Sequence, residues 1–439
     1  MGAIGPQSAA EVALRKVASM NTLASPETWR RVEPQAKAAA GRRFRIDILT
    51  SMAEAAPIWL GLERNAALAS PYQRYTWASS WQETVARAEG ATPFIVVGRD
   101  HAGSAAFLWP LCCTRLGPLS IARFCGGKHS NANFPLWRPE VASSVTAADI
   151  RAVLDDVARR ERSVDMLVLL NRPRSWSFVT NPLALLPHDE SPSKMCHCAL
   201  SSDFEAFYRD RVGPSTRKKM RQKERALARH GAIRYWRARS KEDAHRVLDA
   251  FFAQKAERMR QLGLANVFAE PGVREFIETA ATRPDPNTGE PPIELYAASV
   301  GDCIAATFAG VVSDRRFCGM FNSMIMNELS NESPGELLLA NVVRMACERG
   351  LTAFDLGIGE AGYKRAFCNE TDTLFDTVVP LTVRGKLAKP LLRGQLNVKR
   401  RIKNSLYARQ TVETLRRHLL GQGRAGLSTA EAVKLQSIA

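Results

Sequence analysis

Two α/β domains of similar build in one chain are what this sequence predicts. Three observations carry the prediction: a β-α-βββ-α-β order of apolar periodicities that occurs twice, a proline-bearing break between the occurrences, and a length of 439 residues. At roughly 150 residues per domain, that length holds two or three domains. With 45% hydrophobic and 24% charged residues, the composition is that of an ordinary globular protein, neither a disordered tail nor a membrane bundle. No run approaches the ~18 consecutive apolar residues of a spanning helix, since even Ala297 to Val312 is broken by Gly301, Asp302 and Gly310. The N-terminal stretch lacks the apolar core of a secretory signal, and Pro6 stands where a myristoylation signal has Ser or Thr. The expected location is therefore the cytoplasm, extending to a peripheral place at the inner membrane face.

The first occurrence opens with a strand at 43–49 (RFRIDIL), followed by helical stretches at 52–68 and 77–88. Three strands are predicted next, at 93–97, 105–113 and 119–124, then a helix at 147–160 and an apolar strand at 164–170. The second opens with a strand at 232–238 and a helix at 241–262, where Val247, Leu248, Phe251, Phe252, Met259 and Leu262 follow helical spacing. Ser240 is placed to cap that helix and Gly263 to stop it. Strands at 293–300, 303–312 and 317–323 follow. Gly301-Asp302 between the first two is a two-residue hairpin signal. A helix at 334–349, a strand at 352–356, a Gly-rich loop, a short helix near Tyr363 and a strand at 374–381 complete the repeat. Pro187, Pro192 and Pro214 mark the break. The expected division is a flexible leader over 1–40, a first domain over 41–200, a second over 201–383 and a basic helical tail over 384–439.

The 61 basic residues exceed the 44 acidic ones by 17, and the excess is concentrated. Arg211 to Arg229 carries a net +7 and Arg384 to Arg424 a net +11, so the remainder is close to neutral. Such a pattern predicts discrete anion-meeting segments rather than a general nucleic-acid coat. Solvated basic helices are the competing explanation. The basic helix at 216–230 offers Arg217, Lys218 and Arg221 as substrate- or anion-binding residues; Lys218 and Lys219 in a first turn would oppose the helix dipole unless an anion is near. Nine cysteines without a C-x-x-C pair fit a reducing compartment. In Cys196-His197-Cys198 a strand would put both thiols on one face and His197 on the other; buried strand cysteines are expected there, and no metal site.

The run Ser333-Pro334-Gly335-Glu336-Leu337-Leu338-Leu339, then Gly350, Phe354-Asp355-Leu356-Gly357-Ile358-Gly359 and Tyr363-Lys364-Arg365-Ala366-Phe367, resembles the C-terminal signature of GNAT acyltransferases. The branch it is similar to is the BioF2-like or CelD-like acetyltransferases, related to the FemABX peptidyltransferases. Trp59, Trp77, Trp81, Trp109-Pro110-Leu111, Gly126-Gly127-Lys128-His129 and Pro135-Leu136 resemble the N-terminal half of that branch. The likeness spans about residues 43–382. It implies tandem GNAT-like (acyl-CoA N-acyltransferase) domains with mixed, mostly antiparallel sheets flanked by helices. The first would be degenerate, a scaffold or acceptor platform, and the second catalytic.

The resemblance further implies acyl-CoA, most simply acetyl-CoA, as a co-substrate rather than a permanently bound cofactor. Its pyrophosphate would meet the helix start formed by Asn331, Ser333, Gly335, Glu336 and Leu337. The physical basis is plain: a helix start has unpaired N–H groups and a positive dipole end. Ser333 stands at the cap, Pro334 at the first position and Gly335 where backbone approach is closest. Glu336 completes an S-x-x-E capping box and sets a carboxylate where phosphate should sit. The chain also departs from the family's Q/R-x-x-G-x-G/A loop, having Asn331 and a single Gly335. Acyl transfer needs a base, oxyanion donors and an acid for the leaving thiolate, and Asp355, Glu360, Tyr363 and Lys364 offer these chemistries within ten positions. Asp355 as a loop-capping carboxylate, Tyr363 as a packed aromatic and Lys364 as a surface lysine are the structural alternatives. The expected acceptor is an amine or hydroxyl of a sugar, a polysaccharide precursor or a lipid-linked intermediate. An aminoacyl-tRNA donor, as in FemABX proteins, and a non-catalytic anion-binding module are the other two functions in play. The tail's Leu391, Leu392, Leu396, Val398 and Ile402 partly follow helical spacing, which predicts either docking on the protein itself or weak contact with an anionic membrane.

Overall fold

The computed structural model describes residues 43–358, 367–368 and 370–404. The expected leader, Glu360, Tyr363, Lys364 and the tail beyond Asn404 lie outside the described residues. The described residues belong to one compact unit.

Strands β1 (Arg45–Leu49), β2 (Thr92–Arg99), β3 (Ala105–Leu116), β4 (Leu119–Phe124), β5 (Met166–Arg172) and β6 (Asp189–Ala199) come from the first half. From the second come β7 (Ile233–Arg237), β8 (Ile293–Val300), β9 (Cys303–Ser313), β10 (Arg316–Met324), β11 (Ala353–Ile358) and β12 (Glu370–Pro380). All twelve join one mixed sheet in the order β1-β2-β3-β4-β5-β12-β6-β11-β10-β9-β8-β7, with the two-residue strand Leu136–Trp137 added beside β3. The order is a palindrome. Each half therefore contributes its last strand to the other half's sheet: β12 pairs antiparallel with β5, β6 pairs antiparallel with β11, and the exchanged strands pair with each other at the centre.

Helices α1 (Met52–Arg64), α2 (Tyr75–Trp81) and α3 (Ala147–Arg160) belong to the first half. α4 (Phe204–Arg211), α5 (Pro214–Leu227), α6 (Lys241–Leu262), α7 (Val273–Thr282), α8 (Pro334–Glu348) and α9 (Val383–Asn404) follow. The repeat read from periodicity is present, and so are its local signals. Ser240 Oγ accepts the Asp243 N–H at 3.1 Å, Gly263 ends α6 in the left-handed conformation, and Gly301-Asp302 turns β8 into antiparallel β9. Both Cys196 and Cys198 are buried on β6.

Four differences have physical causes. β6 falls in the stretch where prolines suggested only a break; Pro192 is tolerated in a strand with an irregular register to β12 between Thr373 and Phe375. α7 was absent from the sequence expectation, its ten residues being short for a periodicity argument. α4, of eight residues, escaped for the same reason. The basic helix α5 starts at Pro214, earlier than expected, so Lys218 and Lys219 sit beyond the first turn, where the dipole penalty fades.

One apolar core runs through both halves, from Trp59, Trp77 and Trp109 to Phe251 and Phe276. Trp77 meets Phe276 edge to face at 5.1 Å between ring centroids, joining α2 to α7. A second cluster lies under α8, where Phe308, Phe317 and Phe354 stack.

Because β12 completes the first half's sheet, its core residues stabilise both halves together. Phe375 is fully buried and lies under the Arg172 guanidinium at 4.2 Å. Phe375→Ala is expected to lower stability by about 3–5 kcal/mol. In urea, tryptophan fluorescence and far-UV circular dichroism should report one shifted transition; two separated transitions would contradict a shared core.

Candidate acyl-transfer site

Each half contains one parallel strand pair, and each pair parts. β4 and β5 are paired only at Ile121–Met166 and Ala122–Leu167. β10 and β11 are paired only from Arg316–Ala353 to Cys318–Asp355. In the second half the cause is visible on the opposite edge of β10: its register with β9 shifts between Ala309 and Gly310, leaving Met320 as an extra residue. A bulge bends its strand and strengthens local twist, and this one follows directly on the last β10–β11 pair.

The two openings are treated differently. In the first half the chain after β4 returns into the opening: Asn133 donates its backbone N–H to Asn171 O and its side-chain amide to Leu170 O, both at 2.9 Å. Ala132, Asn133 and Phe134 are buried there. Beyond a six-residue helix (Pro139–Ser144), α3 is closed by a capping box, Thr146 Oγ accepting the Asp149 N–H and the Asp149 carboxylate accepting the Thr146 N–H. In the second half the equivalent helix, α8, has no side-chain cap.

This corrects the expected Ser333–Glu336 capping box. Ser333 adopts the left-handed conformation (φ 49°, ψ 54°) rather than the extended one of a usual N-cap. Its hydroxyl instead accepts a hydrogen bond from Lys223 Nζ at 2.7 Å, and Lys223 also pairs with the Glu336 carboxylate at 3.2 Å. The acid that stood against phosphate binding is thus partnered by a cation from α5. Pro334 has no N–H, and the Glu336 and Leu337 N–H groups turn back to Ser333 O. Among the described residues the Gly335 N–H is left as the donor at this helix start. A Cβ on Gly335 would meet only Met324, at ordinary contact distances of 3.5 and 3.8 Å, so packing does not demand glycine here. Asn331 is exposed on the preceding 3-10 turn, and the Leu337 side chain is committed to the small core under α5.

Of the anion-binding candidates on α5, Arg217 is occupied structurally: its guanidinium donates to Arg209 O and Val212 O at 2.8 and 2.7 Å, closing the end of α4. Lys218 and Arg221 are exposed. Lys223, counted in the sequence only as part of a charge run, is the α5 residue that reaches the helix start.

Asp355 is buried at the point where β10 and β11 part, and its Oδ1 accepts the Gly357 N–H at 2.6 Å. It holds its own loop, as the structural alternative anticipated. Around it the structure gathers residues that no local pattern joins. His197, on exchanged strand β6, is the register partner of Asp355, so the two side chains share a face. His197 Nε2 lies 2.9 Å from Asp372 Oδ2, and Nδ1 lies 3.7 Å from Glu370 Oε2. The Asp372 carboxylate beside it raises the imidazole pKa above its usual 6.5; burial and Arg316 oppose the rise, while the Asp355 charge supports it. From the first half, Asn131 donates to Gly319 O at 3.1 Å and lies 3.2 Å from the Tyr72 hydroxyl. Burial, with Cys318 and Asp355 nearby, pushes the Tyr72 phenol well above 10. The only sequence signal for His197 was its alternation against two cysteines; Tyr72, Asn131 and Asp372 gave none. A hollow of about 700 Å³ lies elsewhere, lined by α6 and α7 residues including Phe252 and Arg274, and contains none of these groups.

With this geometry in hand, comparison with known proteins is informative. Residues 214–365 match the family model of the acetyltransferase (GNAT) domain. That segment carries Lys223, the start of α8 and the β10–β11 parting. No curated protein matches the chain in sequence. Among solved structures, FemX is similar in fold at 10% identity, with 78% of this chain and 99% of that chain covered and a TM-score of 0.53. The C-terminal domain of a putative lysylphosphatidylglycerol synthetase from Agrobacterium fabrum (12% identity, 78% and 95% covered, TM-score 0.46) and a tandem GNAT protein from the clavulanic acid pathway (13%, 77% and 99%, TM-score 0.42) are more distant in shape.

The His197–Asp372 pair gives a signed expectation. The folded pKa of His197 lies above 6.5 and that of Asp372 below 3.8, because each holds the other's charged form. The imidazolium's contribution to stability is complete below 6.5 and is lost as pH rises through the folded value. The carboxylate's is present above 3.8 and is lost on acidification. Titration of the His197 ring by NMR should give a midpoint above 6.5 that falls in Asp372→Asn; an unchanged midpoint would remove Asp372 as the cause.

Proposed function

We propose that the chain is an acyltransferase of the BioF2-like or CelD-like branch, moving an acyl group, most simply acetyl, from acyl-CoA to an amine or hydroxyl acceptor in its second half. The observation that carries this reading is the contrast between equivalent places. The first half's strand opening is filled and its helix start capped, whereas the α8 start keeps the Gly335 N–H and a lysine beside it. A helix N-terminus with an added cation suits a pyrophosphate. The residues present fit that group once Lys223 has offset Glu336.

Acyl transfer then asks three things of the protein. The acceptor's X–H must lose a proton as its heavy atom bonds to the thioester carbonyl carbon, and His197, held by Asp372, is the proton acceptor in this proposal. Asp355 holds the Gly357 loop at the strand opening, and Asn131 with Tyr72 brings the first half to the same place, as an acceptor platform would require. The carbon–sulfur bond breaks as the carbonyl re-forms, and the thiolate takes a proton, the role expected of Tyr363. Glu360 and Lys364 remain candidates for the base and for oxyanion contact. A sugar, polysaccharide precursor or lipid-linked acceptor in envelope synthesis, met at the cytoplasmic membrane face, accords with the branch.

An aminoacyl-tRNA donor is the second reading, favoured by the exposed cations Lys218 and Arg221 on α5 and by the likeness in fold to FemX. The donors separate by calorimetry with acetyl-CoA beside a salt series with tRNA. Gly335→Val, whose Cβ would meet Met324 at ordinary contact distance, should keep the melting temperature and weaken acetyl-CoA binding at least about tenfold, or 1.4 kcal/mol. Unchanged affinity would remove this helix start. Affinity for tRNA alone, steeply lost with salt, would favour the second reading; binding of neither donor would leave a non-catalytic module.

If His197 accepts the proton, the acidic limb of the rate–pH profile should lie above pH 6.5 and move down in Asp372→Asn. His197→Gln should lower kcat about 10²-fold or more with little change in acyl-CoA affinity. A profile that ignores both substitutions would return the base to Asp355 or Glu360.

A further inference from the structure

Helix α9 follows β12 and is the described part of the expected basic tail. One side docks on the protein: Ala388, Leu392 and Leu396 pack on Ile121, Met166, Val168 and Val378. The docking is specific. Thr382 Oγ donates to Asp165 Oδ1 at 2.7 Å and accepts the Gly385 N–H, and Arg393 makes a two-point pair with Asp189 at 2.6 and 3.0 Å. Gly385 lies so close that a Cβ there would come within 2.0 Å of Asp165 O.

The opposite side is apolar as well. Val383, Leu387, Leu391 and Val398 are 70%, 78%, 70% and 57% exposed. At 100° per residue they fall within an 80° stripe facing away from the docked side, about 22 Å long at 1.5 Å per residue. An exposed aliphatic row of this length on a helix already anchored by its other face has no folding purpose. The 22 residues of α9 carry eight Lys or Arg and no acid. Lys386 flanks the stripe and Arg401 lies within it; among the described residues neither has a carboxylate within ion-pair distance.

We propose that this outer face of α9 seats the protein on an anionic membrane surface, with the aliphatic stripe entering the boundary between headgroups and acyl chains and the flanking cations meeting lipid phosphates. Charge selects this occupant. A second copy would bring two all-cationic helices face to face, whereas an anionic bilayer complements them. Among the described residues no helix is long and apolar enough to cross a membrane, so the contact is peripheral. This inference does not depend on which acyl donor the chain uses.

The test is co-sedimentation of the full chain with vesicles of phosphatidylcholine alone and with about one-third phosphatidylglycerol, at low and at roughly 0.5 M salt. Binding is expected for the anionic vesicles at low salt, falling at least tenfold at high salt and for Leu387→Glu/Leu391→Glu. Those side chains are exposed, so circular dichroism and melting temperature should not change. A second variant, Lys386→Glu/Arg401→Glu, should lose the anionic preference. Absence of binding, equal binding to both vesicle types, or equal binding by the variants would overturn the proposal. So would a dimer of the unmodified chain that Leu387→Glu/Leu391→Glu dissolves, which would make a second copy the occupant.

Discussion

Everything in this molecule hangs on two strands that lie in the wrong half. β6 is made with the first half and pairs with β11; β12 is made with the second and pairs with β5. An antiparallel ladder satisfies backbone donors and acceptors that would otherwise be open edges. Here the ladder β5-β12-β6-β11 does so by welding two sheets into one. The α2–α7 contact through Trp77 and Phe276 and the unbroken core follow from it. His197 reaches the side of Asp355 for the same reason: its strand is a visitor in the second half.

The exchange also leaves two near-equivalent halves that differ in local chemistry. Both have a parallel strand pair that parts and a long helix between its two strands in the chain. In the first, Asn133 fills the strand opening and the Thr146–Asp149 box caps the helix. In the second, the left-handed Ser333 turns its hydroxyl toward Lys223 and leaves the helix start without a side-chain cap. A few hydrogen bonds, each worth about 1 kcal/mol, separate a filled opening with a capped helix from a helix start without a side-chain cap.

How much of this was legible in the sequence depends on range. Features fixed within a few residues were readable: the Ser240 cap, the Gly301-Asp302 hairpin, the α3 and α6 boundaries, the alternation of Cys196, His197 and Cys198. The Pro334-Gly335 helix start was readable as a place but not in its chemistry, because Ser333 and Glu336 form a capping box only if nothing distant competes, and Lys223 does. Features fixed across the chain were not readable. No periodicity reveals that His197 would stand beside Asp355 and Asp372, or that Asn131 would reach Gly319. Nor could spacing divide the tail's leucines between Leu392, which docks, and Leu391, which does not, until the surface beneath them existed.

The exchange of last strands has a consequence for how the protein is born. β5, apolar from Met166 to Leu170, has β12 as its neighbour, and Asn171 is bonded to Asp376 across 205 positions of chain. At roughly 5–20 residues per second, translation leaves that edge without its partner for about 10–40 s after β5 is made. Neither half can close its sheet before the other has been synthesised. The nascent first half therefore waits with an open, sticky edge, the kind that invites pairing with strangers, until the last strand arrives.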